Sequence, residues 1–237
     1  METIAIINQK GGVGKTTTAG AVAAGLHRRG YSVLMVDLDA QGNLTAATGA
    51  APAETFRLLR GEKIPPSFTA SGDIYTSSPA LASADLAFTQ TGKEYMLREA
   101  LTGMSYDYCI LDLPPALGVL TVNALTAADR AVIPAKADIF SLQGITQLMQ
   151  TIAAVKKYCN PALEIAGILL TMYNRRAVLQ RDTAAALESM GVFETKIRPC
   201  GALAEAQARR MSIYDYAPKS NAAADYDSLI TELIERK

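Results

Sequence analysis

Residue types that mark particular protein classes are scarce in this chain of 237 residues. It has a single histidine, His27, and three cysteines. The cysteines, Cys109, Cys159 and Cys200, lie far apart and form no CxxC pair. The sequence therefore predicts neither a disulfide framework nor a structural zinc site.

Net charge and long apolar runs are missing as well. The 23 Lys and Arg residues balance the 23 Asp and Glu residues, which argues against a polycationic nucleic-acid arm but is compatible with a local basic patch. An acid, Glu2, stands where a secretory signal needs basic residues, and no window approaches the roughly 20 apolar residues of a membrane-spanning helix. We expect a cytoplasmic protein without a membrane span.

The residues that are present fit one globular domain. Apolar residues make up 49% of the chain, with 17 Gly and 10 Pro, which excludes disordered and collagen-like classes. Short aliphatic runs alternate with helical patterns, as in a parallel sheet buried on both faces. We predict a single domain over residues 1–237 of the α/β class, with a doubly wound, mostly parallel sheet and helices on both faces. The predicted strands are residues 3–8, 32–37, 108–113, 131–134, 165–171 and 192–197, and residues 50–78 are predicted to form an excursion with a short helix and an edge strand.

A glycine-rich segment, QKGGVGKTT at residues 9–17, stands between the first predicted strand and a helical pattern. Glycines let backbone N–H groups turn toward phosphate oxygens, and the following helix N-terminus adds its positive dipole end. Lys15 can reach the β- and γ-phosphates, and the Thr16 hydroxyl can ligate Mg²⁺. The common P-loop pattern would place glycine at position 9, where this chain has Gln9. The predicted phosphate contacts are Lys10, Gly11, Gly12, Val13, Gly14, Lys15, Thr16 and Thr17.

Three aspartates follow predicted strands. Asp112 comes after an apolar strand, at the sheet edge where open α/β sheets bind ligands, so its carboxylate is suited to hold a Mg²⁺-bound water; a turn-capping role is the alternative. Asp37 and Asp39 follow the second strand and can point the same way, because alternate residues of an extended segment share a face. We interpret Asp37 as a structural group or part of the Mg²⁺ shell.

The glycine loop with a lysine at its front, KGGVGKTT, resembles the deviant Walker A motif of the ParA/MinD family of P-loop ATPases. Three further segments agree with this resemblance: DLDAQGN at 37–43, DLPP at 112–115 and LTMYN at 170–174. Within the family, DLDxQGN and TMY are more similar to the ParA-type partition ATPases of the short, Soj-like branch.

The resemblance implies an Mg²⁺-dependent ATPase that forms a homodimer in its ATP state, binds duplex DNA non-specifically, and is reset by hydrolysis. It implies that Lys10 crosses the dimer to phosphate bound by the partner, and that Asp39 orients the attacking water and belongs to the metal site with Thr16 and Asp112. It also implies adenine contacts at Asn174 and Pro199, a ParB-like centromere-binding partner, and association with the nucleoid.

Basic residues offer several candidate contacts to DNA phosphates. Arg175, Arg176 and Arg181 form the main cluster, since Arg176 falls where the family often places a DNA-contacting arginine. Arg209–Arg210 and Lys156–Lys157 are further candidates, and each cluster has an ordinary solvated surface as its alternative. Two departures from the family pattern are Ala202, where Soj-like proteins commonly have a basic residue, and Ala40, where a proline is usual.

Other functions are compatible with the same fold. A MinD-like membrane switch needs a terminal amphipathic helix with a basic face, but the acidic residues of the terminal segment outnumber Arg236 and Lys237, so we interpret its apolar stripe as core. An iron–sulfur reductase lacks the cysteines it needs. A small-molecule kinase or synthetase stays open, because the sequence identifies no acceptor pocket.

Overall fold

A computed structural model describes residues 1–138 and 141–236 of the chain. The described residues form one seven-stranded sheet with the order β3-β4-β2-β5-β1-β6-β7. All neighbouring strands pair in parallel except β3 and β4. This confirms the predicted fold class. The strands are β1 (Glu2–Ile6), β2 (Val33–Asp37), β3 (Ser67–Thr69), β4 (Gly72–Tyr75), β5 (Tyr108–Asp112), β6 (Arg130–Lys136) and β7 (Glu164–Thr171).

Helices cover both faces of the sheet. Within the described ranges none is long and apolar enough to cross a bilayer. They are α1 (Lys15–Arg28), α2 (Asn43–Thr48), α3 (Thr55–Leu59), α4 (Ala84–Ala87), α5 (Met96–Leu101), α6 (Val119–Ala127), α7 (Ser141–Tyr158), α8 (Val178–Leu187), α9 (Ala202–Ala208), α10 (Ile213–Tyr216) and α11 (Asn221–Glu235).

The central strands are apolar at most positions because both of their faces are buried. In β1, Ile4 and Ile6 pack in the core beneath α1 and α11, whereas Ala5 belongs to the core beneath α6 and α7. Successive side chains of β1 therefore pack in the cores on opposite faces of the sheet. The continuous aliphatic runs in the sequence follow from this two-sided burial.

The terminal helix α11 lies against α1. Tyr226, Leu229, Ile230 and Leu233 are all buried there. The interpretation of its apolar stripe as core is therefore confirmed; Lys237 lies outside the described residues.

The predicted strand at 192–197 is wrong. This segment runs beside β7, and Phe193 and Ile197 donate backbone hydrogen bonds to Ile168 and Leu170. Between them, however, the N–H groups of Glu194 and Thr195 donate to the carboxylate of Glu232, at 2.8 and 3.0 Å. A side chain of α11 therefore takes the place of strand pairing in the middle of the segment.

The excursion at 50–78 contains the predicted short helix, α3, and two strands rather than one. β4 extends the parallel sheet beside β2, and β3 folds back on β4 as the edge. A three-residue antiparallel edge strand is a common way to end a sheet.

Candidate functional site

The glycine-rich loop joins β1 to α1 at the carboxyl edge of the sheet. Gly12 and Gly14 have φ angles of +68° and +87°, a left-handed conformation that residues other than glycine rarely adopt. Gly14 directly precedes α1 and accepts the first hydrogen bond of its helical turn from the Thr18 N–H. The loop therefore wraps around the N-terminus of α1, as the sequence predicts.

The backbone of this loop presents unused donors. The seven consecutive N–H groups from Gly11 to Thr17 have no acceptor among the described residues. Successive N–H groups in such a turn form a concave anion-binding site, and the dipole of α1 adds positive potential. The loop is therefore shaped to hold an anion such as a phosphate chain.

Neighbouring strands hold the loop in place. The Asn8 side chain donates to the Pro134 carbonyl and accepts from the Lys10 N–H, while the Thr171 hydroxyl donates to the carbonyl of Val13. Val13 is itself buried, so its contribution is its backbone. These contacts tie the loop to β6 and β7 and fix its shape before any ligand binds.

Lys10 and Lys15 have different surroundings. Lys10 Nζ lies 2.5 Å from the carboxylate of Asp138, directly after β6. Lys15 is buried at the start of α1, and its Nζ donates to the Lys10 carbonyl at 3.3 Å. Burial lowers the pKa of Lys15, and the charges of Asp112 and Asp39 counter that effect.

The three aspartates meet at the same sheet edge. Asp37 and Asp112 are register partners on the adjacent strands β2 and β5. Asp37 accepts hydrogen bonds from the Asp39 N–H and from the N–H and hydroxyl of Thr45. The structural alternative for Asp37 therefore fits its contacts, since it holds the loop that carries Asp39.

Asp112 is fully buried, and neither of its carboxylate oxygens has a hydrogen-bond partner of acceptable geometry in the described structure. Burial raises its pKa well above the usual range, as does Asp37, while Thr16 and Lys15 act in the opposite direction. Burial likewise raises the pKa of Asp37 to about 6. Unlike Asp37, Asp112 has no hydrogen bond of acceptable geometry to stabilise its charge, so its carboxylate is suited to a cation or a metal-bound water.

A Mg²⁺ ion fits this arrangement. The described residues contain no group of three or more His, Cys, Asp or Glu side chains that could hold a metal through protein ligands alone, but Mg²⁺ does not need one. Mg²⁺ in nucleotide sites typically takes one or two protein carboxylates and completes its shell with phosphate oxygens and water. Thr16 and Asp112 are the residues that would hold it here, with Asp39 nearby.

A cavity of about 720 Å³ opens over the loop. It brings together the predicted residues Gly11, Gly12, Gly14, Lys15, Thr16, Thr17 and Asp39. Gln207 and Arg210 also reach this cavity, from α9 and the residues after it. Sequence reasoning missed Gln207 and placed Arg210 in a candidate DNA cluster, because neither residue lies near the loop in sequence.

Asn174 and Pro199 line a different cavity, of about 670 Å³, together with Arg175 and Arg176. Asn174 accepts a hydrogen bond from the Arg176 N–H, so its side chain caps its own turn in this structure. Arg181 does not line this cavity and lies exposed on α8. The adenine role of Asn174 and Pro199 stays a prediction.

Comparison with known proteins agrees with this geometry. A family model described as an AAA domain matches residues 1–165. The chain is 40% identical over 239 residues to the chromosome-partitioning ATPase Soj of Thermus thermophilus, covering 98% of this chain and 95% of that protein. It is 36% identical to the sporulation initiation inhibitor protein Soj of Bacillus subtilis, covering 97% of each. The chain belongs to the ParA/Soj family of P-loop ATPases.

The architecture of this ParA/Soj-type ATPase also matches a solved structure. A protein described as cobyrinic acid a,c-diamide synthase from Mycobacterium smegmatis, with bound ATP analogue and magnesium, superimposes with a TM-score of 0.88. The two chains are 31% identical, and the match covers 99% of this chain and 94% of the other. The family assignment made from the motifs is thus confirmed.

Asp112→Asn should raise the melting temperature of the nucleotide-free protein at about pH 8. The change removes the charge of a fully buried carboxylate and keeps its shape. Holding that charge out of water costs about 1–3 kcal/mol or more, and each kcal/mol is worth roughly 2–4 °C in a chain of this size. Because the pKa is raised in the folded state, the wild type loses stability as pH rises from the ordinary pKa of 3.8 toward the folded pKa. The gain should therefore be smaller at about pH 5.

Thermal melting at both pH values measures this difference. Asp182→Asn, on the exposed surface of α8, is the matched control and should change little. A melting temperature that falls, or a gain that does not depend on pH, would contradict the account of Asp112.

Proposed function

We propose that this chain is a partition ATPase that binds ATP·Mg²⁺, dimerises around the nucleotide, binds duplex DNA non-specifically in that state, and is reset by hydrolysis to ADP. The carrying observation is the run of seven unused N–H groups between Gly11 and Thr17, beside the buried Lys15. A polyphosphate would accept hydrogen bonds from these donors. Its Mg²⁺ would stabilise the ionised carboxylate of Asp112, whose pKa is raised by burial. The Soj relatives support partition as the process.

Hydrolysis in this proposal depends on positioning and charge rather than on covalent chemistry by the protein. Bound Mg²⁺ would neutralise charge that develops on the phosphates. Lys15 and the loop N–H groups hold the phosphate chain, and Asp39 orients the attacking water at the edge of the same cavity. Asp37 fixes the backbone of Asp39 through its hydrogen bond.

Dimerisation gives Lys10 its role. In the single chain Lys10 is paired with Asp138, and it must leave that carboxylate to reach phosphate bound by a partner. Three apolar side chains follow the carboxyl ends of β5, β6 and β7 and are 37 to 43% exposed: Leu117, Leu142 and Met172. Met172 lines the cavity. Apolar side chains around a charged cavity suit an interface that closes when nucleotide is bound.

For DNA, the proposal assigns Arg175 and Arg176, with Arg181 on the neighbouring helix. These three side chains are exposed and have no ion pair with any described carboxylate. Lys196 lines the same cavity as Arg175 and Arg176. Arg198 also lines it, but its charge is matched by Asp225. A ParB-like protein is the proposed partner, and the nucleoid the proposed location, on the strength of the relatives.

Gly11→Val should block dimerisation and leave nucleotide binding intact. A Cβ at Gly11 meets no atom within 4 Å, so the monomer can accept the branched side chain, but two loops that meet across an axis cannot. Both proteins should carry Asp39→Ala, which should retain ATP. Light scattering should then detect dimers when residue 11 is glycine and monomers when it is valine.

Calorimetry supplies the control for this comparison. ATP·Mg²⁺ affinity should be the same with glycine and valine at position 11, whereas Lys15→Ala should lose binding because the compact charge at the phosphates is gone. Normal dimers in the valine variant would refute the sandwich arrangement. Unchanged ATP affinity in Lys15→Ala would refute the nucleotide site itself.

Arg176→Ala should weaken binding to all duplex sequences alike. The ATP state should bind DNA with an affinity that falls steeply with salt, and loss of one phosphate contact should flatten that slope by about one unit. Arg60→Ala, at an exposed position directly after α3, removes the same side chain outside every candidate cluster and is the control. Sequence-selective weakening, or an equal effect of Arg60→Ala, would count against the assigned surface.

A further inference from the structure

Two residues other than glycine have a left-handed backbone in the described ranges, Met172 with φ +51° and Arg210 with φ +56°. Both line the 720 Å³ cavity over the glycine-rich loop. Such conformations cost energy for a residue with a side chain and cluster at functional sites. Met172 belongs to a motif already assigned to the nucleotide edge, whereas Arg210 belongs to none.

Contacts on both sides fix the position of Arg210. The Arg210 N–H donates to the Gln207 carbonyl at 3.0 Å, and the Gln207 side chain donates to the Thr17 hydroxyl at 3.2 Å. The residues at the end of α9 are thereby attached to the first turn of α1. Arg210 is held next to the predicted phosphate site although it is distant in sequence.

Gly49 makes room for the aliphatic part of Arg210. A Cβ at position 49 would lie 2.7 Å from Cδ of Arg210, closer than side-chain atoms approach. Gly49 ends α2 with φ +66°, so glycine is required there for conformation as well as for space. The stem of Arg210 therefore passes over the end of α2 at Gly49, although the residue as a whole is exposed.

The guanidinium of Arg210 has no described carboxylate within 4.0 Å and donates no hydrogen bond to the described residues. Its neighbour Arg209 behaves differently, since its guanidinium lies 5.5 Å from the centre of the Tyr216 ring. Arg209 does not line the cavity. The two adjacent arginines therefore do not form one basic patch, which argues against their joint interpretation as a DNA cluster.

We propose that Arg210 is a further nucleotide-binding residue, whose guanidinium contacts the phosphate chain held by the glycine-rich loop. This inference rests on the proposed function, because it needs a nucleoside polyphosphate in the cavity. A guanidinium presents several donors in a fixed fork that suits phosphate oxygens. Arg210 adds a second cation to the buried Lys15 in the lining of the same cavity.

Calorimetric titration with ATP·Mg²⁺ and with ADP tests the inference. Arg210→Gly keeps the left-handed backbone available and removes only the side chain, so the fold should be retained, with an equal or higher melting temperature. We expect both nucleotides to bind about tenfold or more weakly, as for loss of a charge-assisted hydrogen bond. Arg210→Lys should bind with intermediate affinity, because it keeps the charge but not the fork.

Arg209→Gly is the matched control, with the same loss of charge one residue away, and it should bind nucleotide as the wild type does. Unchanged affinity in Arg210→Gly, with binding still lost in Lys15→Ala, would overturn the role of Arg210 and leave the proposed function standing. Equal weakening by Arg209→Gly would also overturn it, since the effect would then be one of general charge. A wild type that binds neither nucleotide would overturn both proposals.

Discussion

Seven backbone N–H groups between β1 and α1 lack acceptors among the described residues, and the buried carboxyl of Asp112 lacks a partner there too. The first group of atoms is suited to bind an anion, and the second is suited to a cation or a metal-bound water. One ligand, a nucleoside triphosphate with its Mg²⁺, satisfies both at once. The site of this ParA/Soj-type ATPase is therefore complementary to its ligand in charge, and the row of unused N–H groups in the loop is the clearest sign of that complementarity.

The order of strands places the anion-binding loop and the buried carboxyls next to each other. β2, β5 and β1 are neighbours in the sheet, and they end at Asp37, at Asp112 and at the glycine-rich loop respectively. Parallel pairing brings all three carboxyl ends to one edge. Asp37 then holds the loop that carries Asp39, so the position of Asp39, which we propose orients the attacking water, depends on a buried carboxyl two residues before it.

Local patterns were sufficient to predict the parts of the site that each carry a short motif of their own. The glycine loop and the strand-end aspartates were each predicted from a few consecutive residues, and the parallel sheet from its aliphatic runs. Contacts across the chain could not be predicted in this way. Gln207 and Arg210 reach the cavity only because α9 folds onto α1. The segment at 192–197 is not a strand because Glu232, far along the chain, takes its central N–H groups.

A complete catalytic site in this ATPase needs two chains, with Lys10 supplied by one and Asp39 by the other, if the proposed dimer forms. Mixing two inactive variants tests this most directly. Lys10→Ala and Asp39→Ala should each lack ATPase activity alone, and an equal mixture should recover roughly a quarter of wild-type turnover, since about half of the dimers are hybrids with one complete site each. No recovery in a mixture that forms hybrid dimers, or full activity in Lys10→Ala alone, would contradict the claim.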